Sequence, residues 1–194
     1  MDLDAFRQWA TGDLVANANR GVFAEWLVGA ALDMFKEGET RTEWDAVDLR
    51  YEELRIEVKA SAYGQVWDRC GSNTTVRFDI ARQSSAWYAH EPDDWEVASL
   101  GDGCEVINRN SGTWVRFDPP RRTAEVYVFC LNTSRPAWPD KVADPDEWKF
   151  WVVPTAVLNN ELDGQKTIGE QRLDRLAESV SWHEIKASVE ACRP

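Results

Sequence analysis

Four charged side chains are spaced so that they can share one metal site. Asp48, Glu57 and Lys59 fall on two segments that alternate polar and apolar residues, and Glu25 falls in an earlier segment with helical periodicity. Hard divalent cations such as Mg²⁺ prefer oxygen ligands and retain waters, so two or three carboxylates suit them. A lysine beside them can orient an attacking water or neutralise charge that develops on a phosphate. These residue types indicate metal-assisted phosphate chemistry.

A β-hairpin over residues 46–60 is expected to position these acids. Both arms alternate, and Glu52-Glu53 stands between them as the turn. If that turn has two residues, Tyr51 pairs with Leu54 and Asp48 falls opposite Glu57, with Cβ atoms about 5 Å apart. The apolar face of the hairpin should then carry Val47, Leu49, Ile56 and Val58. The alternative is that the polar face is merely solvated.

Glu25 lies in a periodic segment that runs from Asn19 to about Phe35. Apolar residues cover nearly its whole circumference, which predicts a buried helix, capped by Asn17 or Asn19 and stopped near Gly38. A lone acid on a buried helix needs a cation or hydrogen-bond partners. Glu25 is therefore expected to join the polar face of the hairpin.

The rest of the chain reads as mixed helix and strand. The β-branched and aromatic runs 125–131 and 148–153 predict central strands, and capping boxes at 167–170 and 181–184 predict two closing helices. The expected fold is α/β (α+β), in one domain over residues 1–194.

Three further segments are expected to connect these elements. A short helix is predicted over residues 62–70 and a strand over 74–81. Residues 84–112 combine an acid cluster with proline, glycine and serine, which predicts a long loop or variable insertion. Tryptophans in periodic segments favour the core, namely Trp26, Trp67 and Trp151. Those in polar stretches favour a partner surface, namely Trp87, Trp95 and Trp138.

Composition and charge restrict the class of protein. No apolar run is long enough for a membrane span, and the first residues lack a secretory signal, so we expect a cytoplasmic protein. The four cysteines are widely spaced and only two histidines are present, which favours free thiols over zinc. The net charge of −12 repels nucleic acid at long range without excluding a nucleic-acid enzyme.

The spacing of the charged residues resembles a known signature. Asp48 followed by Glu57-Val58-Lys59 resembles the PD-(D/E)XK motif of the restriction-endonuclease-like nuclease superfamily, with Val47 in place of the proline. The run Ala24-Glu25-Trp26-Leu27-Val28 resembles the N-terminal helix of that superfamily with its acid. The run 57–67 resembles a prokaryotic subgroup in which serine and glutamine follow the lysine. Later stretches also resemble that subgroup: 124–130, 148–155 and 165–168.

The resemblance spans about residues 20–185, with 84–112 unmatched, and it implies a role for each site residue. Asp48 and Glu57 would bind Mg²⁺ or Mn²⁺, and Val58 would offer its carbonyl. Lys59 would assist water activation, and Glu25 would make a second-metal or water-mediated contact.

Three other residues are weaker candidates. Ser61 shares the face of Lys59 and is placed to touch a phosphate. Gln65 resembles the glutamine that orients substrate in such sites, although an ordinary helix glutamine is an equal alternative. Asp45 competes with Asp48, but its strand parity is wrong unless a bulge intervenes.

The resemblance implies a restriction-endonuclease-like mixed sheet flanked by helices and a nuclease that acts on DNA. Specificity would come from residues 84–112, a homodimer partner or companion proteins. The first alternative is a catalytically inactive interaction module of the same fold, in a nucleic-acid-processing or defence complex. A carbohydrate-binding protein that uses loop tryptophans is the third hypothesis.

Overall fold

Nine strands and six α-helices make up the regular structure of the described residues. The computed structural model describes residues 2–43, 45–89, 96, 100–109 and 112–193. The strands are β1 (Leu49–Tyr51), β2 (Leu54–Ala62), β3 (Phe78–Asp79), β4 (Gln83–Tyr88), β5 (Cys104–Arg109), β6 (Gly112–Arg121), β7 (Val126–Asn132), β8 (Trp148–Pro154) and β9 (Thr167–Ile168). The helices are α1 (Leu3–Thr11), α2 (Asn17–Ala31), α3 (Pro139–Val142), α4 (Thr155–Glu161), α5 (Glu170–Leu176) and α6 (Ile185–Glu190). Two 3₁₀ turns, Pro145–Glu147 and Trp182–Glu184, precede β8 and α6.

The central sheet is mixed, as the sequence predicted. Its order is β1-β2-β7-β8, with β2 and β7 parallel and the other neighbours antiparallel. Both runs expected to form central strands are strands, β7 and β8, but only β7 is central, since β8 lies at the edge of the sheet. All seven residues of β7 are buried, because helices and loops cover both faces of the sheet.

Two apolar clusters lie on the two faces of this sheet. One joins the sheet to α2 and α6 and includes Leu27, Val28, Ile56, Val126, Phe150 and Ile185. The other joins it to α4 and α5 and includes Tyr127, Phe129, Trp151, Leu158 and Leu173. Successive residues of β7 alternate between the clusters, since strand side chains alternate between faces.

The predicted hairpin register is confirmed. Tyr51 pairs with Leu54 and Leu49 with Ile56, and Glu52 adopts a positive φ of 54° in the turn. The expectation for Val47 was wrong: it precedes β1 in a bend and packs into the cluster on the opposite face from Leu49. β1 is short, so the part of β2 beyond Ile56 has no strand partner on that side among the described residues.

The buried helix around Glu25 is present, with different ends. α2 begins after Ala16, whose side chain cannot cap, and ends at Ala31, well before Gly38. Its circumference is not wholly buried, because Trp26 is 52% exposed. The helix packs one side on the sheet and leaves the other in water, so its pattern overstated its burial.

Several shorter predictions were wrong. Instead of a helix over 62–70, Ala62 ends β2 and residues 63–70 form bends and turns. The strand expected over 74–81 is limited to β3, which pairs with β9. Thr167 lies in β9 instead of capping a helix, and α5 begins after Gly169. The capping box of Ser181 and Glu184 is confirmed, on the 3₁₀ turn before α6. Trp26 and Trp67 were expected in the core but are 52% and 76% exposed, whereas Trp151 is buried as expected.

Residues 84–112 do not form only a loop. The described part contains most of β4 and all of β5, which pair with β6 in a second, antiparallel sheet of order β4-β6-β5. Residues 90–95, 97–99, 110 and 111 lie outside the described residues, and Trp95 is among them. One face of this small sheet is buried, with Tyr88, Val115 and Phe117 at its centre.

The structure also bears on the cysteines and on the helix lengths. The cysteines Cys70, Cys104, Cys130 and Cys192 are free thiols, as the spacing indicated. Among the described helices, none combines the length and the apolarity that a bilayer crossing requires.

Candidate functional site

Asp48 and Glu57 come together at the end of the β1–β2 hairpin. Asp48 directly precedes β1, and the pairing of Leu49 with Ile56 places it opposite Glu57. The main-chain N–H of Val58 donates to Asp48 Oδ2 at 2.7 Å, which fixes that carboxylate beside β2. Both acids line one cavity of about 620 Å³. The structure thus brings the two expected metal ligands to one place.

The surroundings of Asp48 disfavour the ionised form of its side chain. Burial raises its pKa to about 7, and the nearby carboxylates of Glu57 and Glu25 add to this rise. The hydrogen bond from Val58 and the charge of Lys59 act in the opposite direction. A cation beside Asp48 would relieve the repulsion, so the site favours positive charge.

Lys59 lies on the same side of β2 as Glu57 and bonds to it. Its Nζ is 2.5 Å from Glu57 Oε1, and the two side chains are 27% and 9% exposed. Burial alone would lower the pKa of Lys59, but the carboxylates of Glu57, Asp48 and Asp79 together raise it. Lys59 therefore stays an ammonium at neutral pH and acts as a donor, not as a base.

Glu25 was expected to join the polar face of the hairpin, but its helix lies on the other face of the sheet. α2 packs on the face that carries Ile56 and Val58, opposite the face of Glu57 and Lys59. Arg41 binds both oxygens of Glu25, with N–O distances of 2.5 and 2.8 Å. Glu25 and Asp48 nevertheless line a shared cavity. The cationic partner that Glu25 was expected to need is therefore Arg41.

The carboxylates at this site suit a cation that takes few ligands from the protein. Among the residues that the structure describes, no three His, Cys, Asp or Glu side chains are grouped closely enough to hold a metal ion. Asp48 and Glu57 supply two carboxylates, whereas Glu25 is engaged by Arg41. Mg²⁺ in proteins often takes only one or two carboxylates and fills its other positions with waters and phosphate oxygens. Asp48 and Glu57 fit that type of site, with the Val58 carbonyl as an expected addition.

Asp45 has a structural role instead. Its carboxylate forms a salt bridge with Arg50 and accepts the N–H groups of Ala46 at 2.8 Å and Ala89 at 3.3 Å. Arg50 also bonds Glu96 at 2.9 Å. These contacts join the hairpin to the small sheet, and they occupy the Asp45 oxygens that a metal would need.

Ser61 and Gln65 lie together in a second cavity of about 730 Å³, farther along β2. Gln65 stands in a turn, not a helix. Its Nε2 donates to the Ala62 carbonyl at 2.9 Å, and its Oε1 accepts from Arg20 at 3.4 Å. The two residues are buried, so a ligand would reach them only through this cavity.

The sequence interpretation named Trp87 as a candidate partner surface but missed Trp114 and the location of both indoles beside the two acids. Trp87 of β4 and Trp114 of β6 are cross-strand partners, and both line the cavity of Asp48 and Glu57. Gly112 has a φ of 135°, and a Cβ there would lie 2.4 Å from Trp87 Nε1, so only glycine leaves room for this indole. The alternation of residues 113–117 was the available signal.

Comparison with protein-family models, with curated proteins and with solved structures gives no match. The likeness to the PD-(D/E)XK superfamily therefore stays a prediction that depends on the motif and on the geometry around it.

Proposed function

We propose that this protein is a metal-dependent nuclease that hydrolyses phosphodiester bonds, with DNA as the preferred substrate and Mg²⁺ or Mn²⁺ as the metal. The observation that carries the proposal is the pair Asp48 and Glu57, held opposite each other with Lys59 bonded to Glu57. A buried acid with a strongly raised pKa in a cavity is typical of functional sites.

Each residue has a part in this reaction. Asp48 and Glu57 would hold a divalent cation, which would supply positive charge near the phosphate oxygens and favour ionisation of the attacking water. Lys59 would leave Glu57 and bond a phosphate oxygen or the attacking water. Its positive charge stabilises the transition state most, because negative charge develops there. The Val58 N–H keeps Asp48 oriented, so the site is preorganised by the strand register. Glu25, which Arg41 binds, would contribute a second-metal or water-mediated contact only if that ion pair opened.

The surroundings of the acids support a nucleic-acid substrate. Trp87 and Trp114 line the same cavity, and aromatic side chains stack on bases of any sequence. The net charge of −12 disfavours long-range attraction of a polyanion, so binding would depend on contacts inside the cavities. Specificity then requires the small sheet, a second copy of the chain or companion proteins. We place this activity in the cytoplasm.

The deciding experiment is a cleavage assay with millimolar Mg²⁺ or Mn²⁺, and with EDTA as the blank. Supercoiled plasmid, single-stranded DNA and RNA are offered to wild type and to Glu57→Gln, which keeps size but removes charge. Cleavage by wild type should fall at least about a hundredfold in the variant, because one metal ligand and the partner of Lys59 are lost together. Product sizes on a gel give the rates.

Glu53→Gln is the matched control, because Glu53 lies exposed in the same hairpin and off the cavity. It should cleave like wild type, and an equal loss in both variants would contradict the assignment. A wild type that binds nucleic acid but cleaves none of the three substrates with either metal would instead indicate the inactive interaction module.

A further inference from the structure

The cavity beside Ser61 contains a buried cation, Arg20, that makes no ion pair with any residue that the structure describes. Arg20 of α2 lines this cavity and is only 4% exposed. Within the described part of the chain, its guanidinium hydrogen-bonds only neutral oxygens: Val15 O at 2.9 Å, Asn17 Oδ1 at 2.5 Å and Gln65 Oε1 at 3.4 Å. The Arg20 Nε is buried without a hydrogen-bond partner.

An uncompensated arginine at this depth is unfavourable for the folded state by itself. Burial lowers the pKa of Arg20 to about 10, so the side chain remains charged at neutral pH. A guanidinium has five N–H donors, and three hydrogen bonds leave donors unused. Removing a charge from water without a counter-charge is costly, so an anion in the cavity would stabilise the protein.

The rest of the lining suits an oxyanion. Ser61, Asn73 and Arg77 add polar donors, and Arg77 is exposed at the cavity. One acid, Asp68, also lines it, and that carboxylate accepts the Asn73 N–H at 3.1 Å. The two arginines therefore outweigh the single acid. Trp67, 76% exposed, adds a flat aromatic surface that suits a ligand with a base attached to its phosphate.

We propose that this cavity, which we name the Arg20 pocket, binds a phosphate group. Ser61 follows Lys59 by two positions on the same side of β2, about 7 Å along the strand. The phosphate would thus belong to the nucleic-acid strand whose scissile bond lies at Glu57 and Lys59. That last assignment rests on the proposed function, whereas phosphate binding by Arg20 does not.

The test measures binding calorimetrically in EDTA, so that no metal contributes. The probes are inorganic phosphate, a single-stranded DNA oligonucleotide, and the same oligonucleotide with an uncharged methylphosphonate backbone. Wild type and Glu53→Gln should bind phosphate and the charged oligonucleotide similarly, since Glu53 lines neither cavity, and phosphate should compete with the oligonucleotide. The uncharged oligonucleotide should bind at least about tenfold more weakly, as expected when charge-assisted hydrogen bonds are lost.

Two variants at the pocket test the residues themselves. Arg20→Gln should weaken phosphate binding about tenfold or more. Because Arg20 also bonds the Val15 carbonyl, its folded state is checked by circular dichroism, and Arg77→Gln provides a second variant at an exposed position. Arg175→Gln, exposed on α5 and away from the pocket, is the matched control and should bind like wild type.

The outcomes separate this inference from the proposed function. Phosphate affinity that is undetectable, or unchanged in folded Arg20→Gln and Arg77→Gln, overturns the Arg20 pocket. Phosphate that binds there without displacing the oligonucleotide overturns the link to a nucleic-acid strand and indicates a free phosphate compound. Intact phosphate binding in a protein that cleaves no nucleic acid overturns the nuclease proposal alone.

Discussion

The main-chain N–H of Val58 donates a 2.7 Å hydrogen bond to the carboxylate of Asp48, the residue directly before β1 of the β1–β2 hairpin. Since the donor belongs to the backbone, the position of Asp48 follows from the strand register. This bond keeps Asp48 beside Glu57 although burial and like charge oppose its ionisation. The hairpin therefore holds two acids where a cation is favourable, and the following predictions depend on that arrangement.

Asp48→Asn should stabilise the protein in EDTA at pH 8. The folded-state pKa of Asp48 is about 7, above the ordinary value of about 3.9, so the unfolding free energy falls as pH rises between these values. Asparagine keeps an oxygen for the Val58 N–H without the charge. The gain is on the order of 1.4 kcal/mol per unit of pKa difference, and it should vanish near pH 4. Melting temperatures across this pH range measure it, and a lower value for the variant at pH 8 would contradict the prediction.

Mg²⁺ or Mn²⁺ should raise the melting temperature of the wild type. A ligand that binds only the folded state at a hundred times its Kd adds about 2.7 kcal/mol to the unfolding free energy. The shift should disappear in Glu57→Gln and persist in Glu53→Gln, because only Glu57 lines the cavity. Equal shifts in both variants would locate the metal elsewhere.

Lys59→Met should separate catalysis from metal binding. Its Nζ bonds Glu57, so removing it leaves the carboxylates free and metal affinity equal or higher. Cleavage should fall about 10²- to 10³-fold, since the ammonium is worth most in the transition state. Lys166→Met, at an exposed position away from the site, is the control. Full activity in Lys59→Met would refute its catalytic assignment.

Arg41→Gln tests whether Glu25 is a metal ligand. Arg41 holds both Glu25 oxygens, and its side chain is 38% exposed, so this pair is worth no more than about 1 kcal/mol. Freeing Glu25 should increase Mg²⁺ affinity by up to about fivefold. The gain should be absent in Arg41→Gln combined with Glu25→Gln. Calorimetric affinities that do not differ between wild type and Arg41→Gln would assign Glu25 a purely structural role.

Trp114→Ala should weaken binding of single-stranded DNA by about 1–3 kcal/mol, the usual loss when a stacked aromatic is removed. Trp114 is 39% exposed and lines the cavity of the two acids, whereas Trp9, 84% exposed on α1, is a control away from it. Fluorescence anisotropy of a labelled oligonucleotide in EDTA gives the affinities. Equal losses in Trp9→Ala and Trp114→Ala would argue against a specific stacking surface.

The hairpin and the two buried strands could be predicted because their signals are local. Alternation from Leu54 to Val58 and a short turn determine which residues pair, so the meeting of Asp48 and Glu57 follows from the sequence. The runs that became β7 and β8 are rich in β-branched and aromatic residues, which identifies both as strands. Only β7 is buried along its whole length, whereas β8 forms the edge of the sheet, a position that composition did not reveal. The second sheet was missed because polar residues alternate along its exposed face and its segment contains turn-forming residues.

Burial and charge pairing were decided only by the tertiary structure. In the sequence, Arg20 is one arginine among several. Packing of α2 beside β2 buries it in a cavity where, within the described residues, it hydrogen-bonds only neutral oxygens. The partner of Glu25 likewise comes from Arg41, in a segment that no pattern marked. Periodicity records which side chains share a face of one element. Which charges meet across elements depends on long-range packing, and that information is not present in any local spacing.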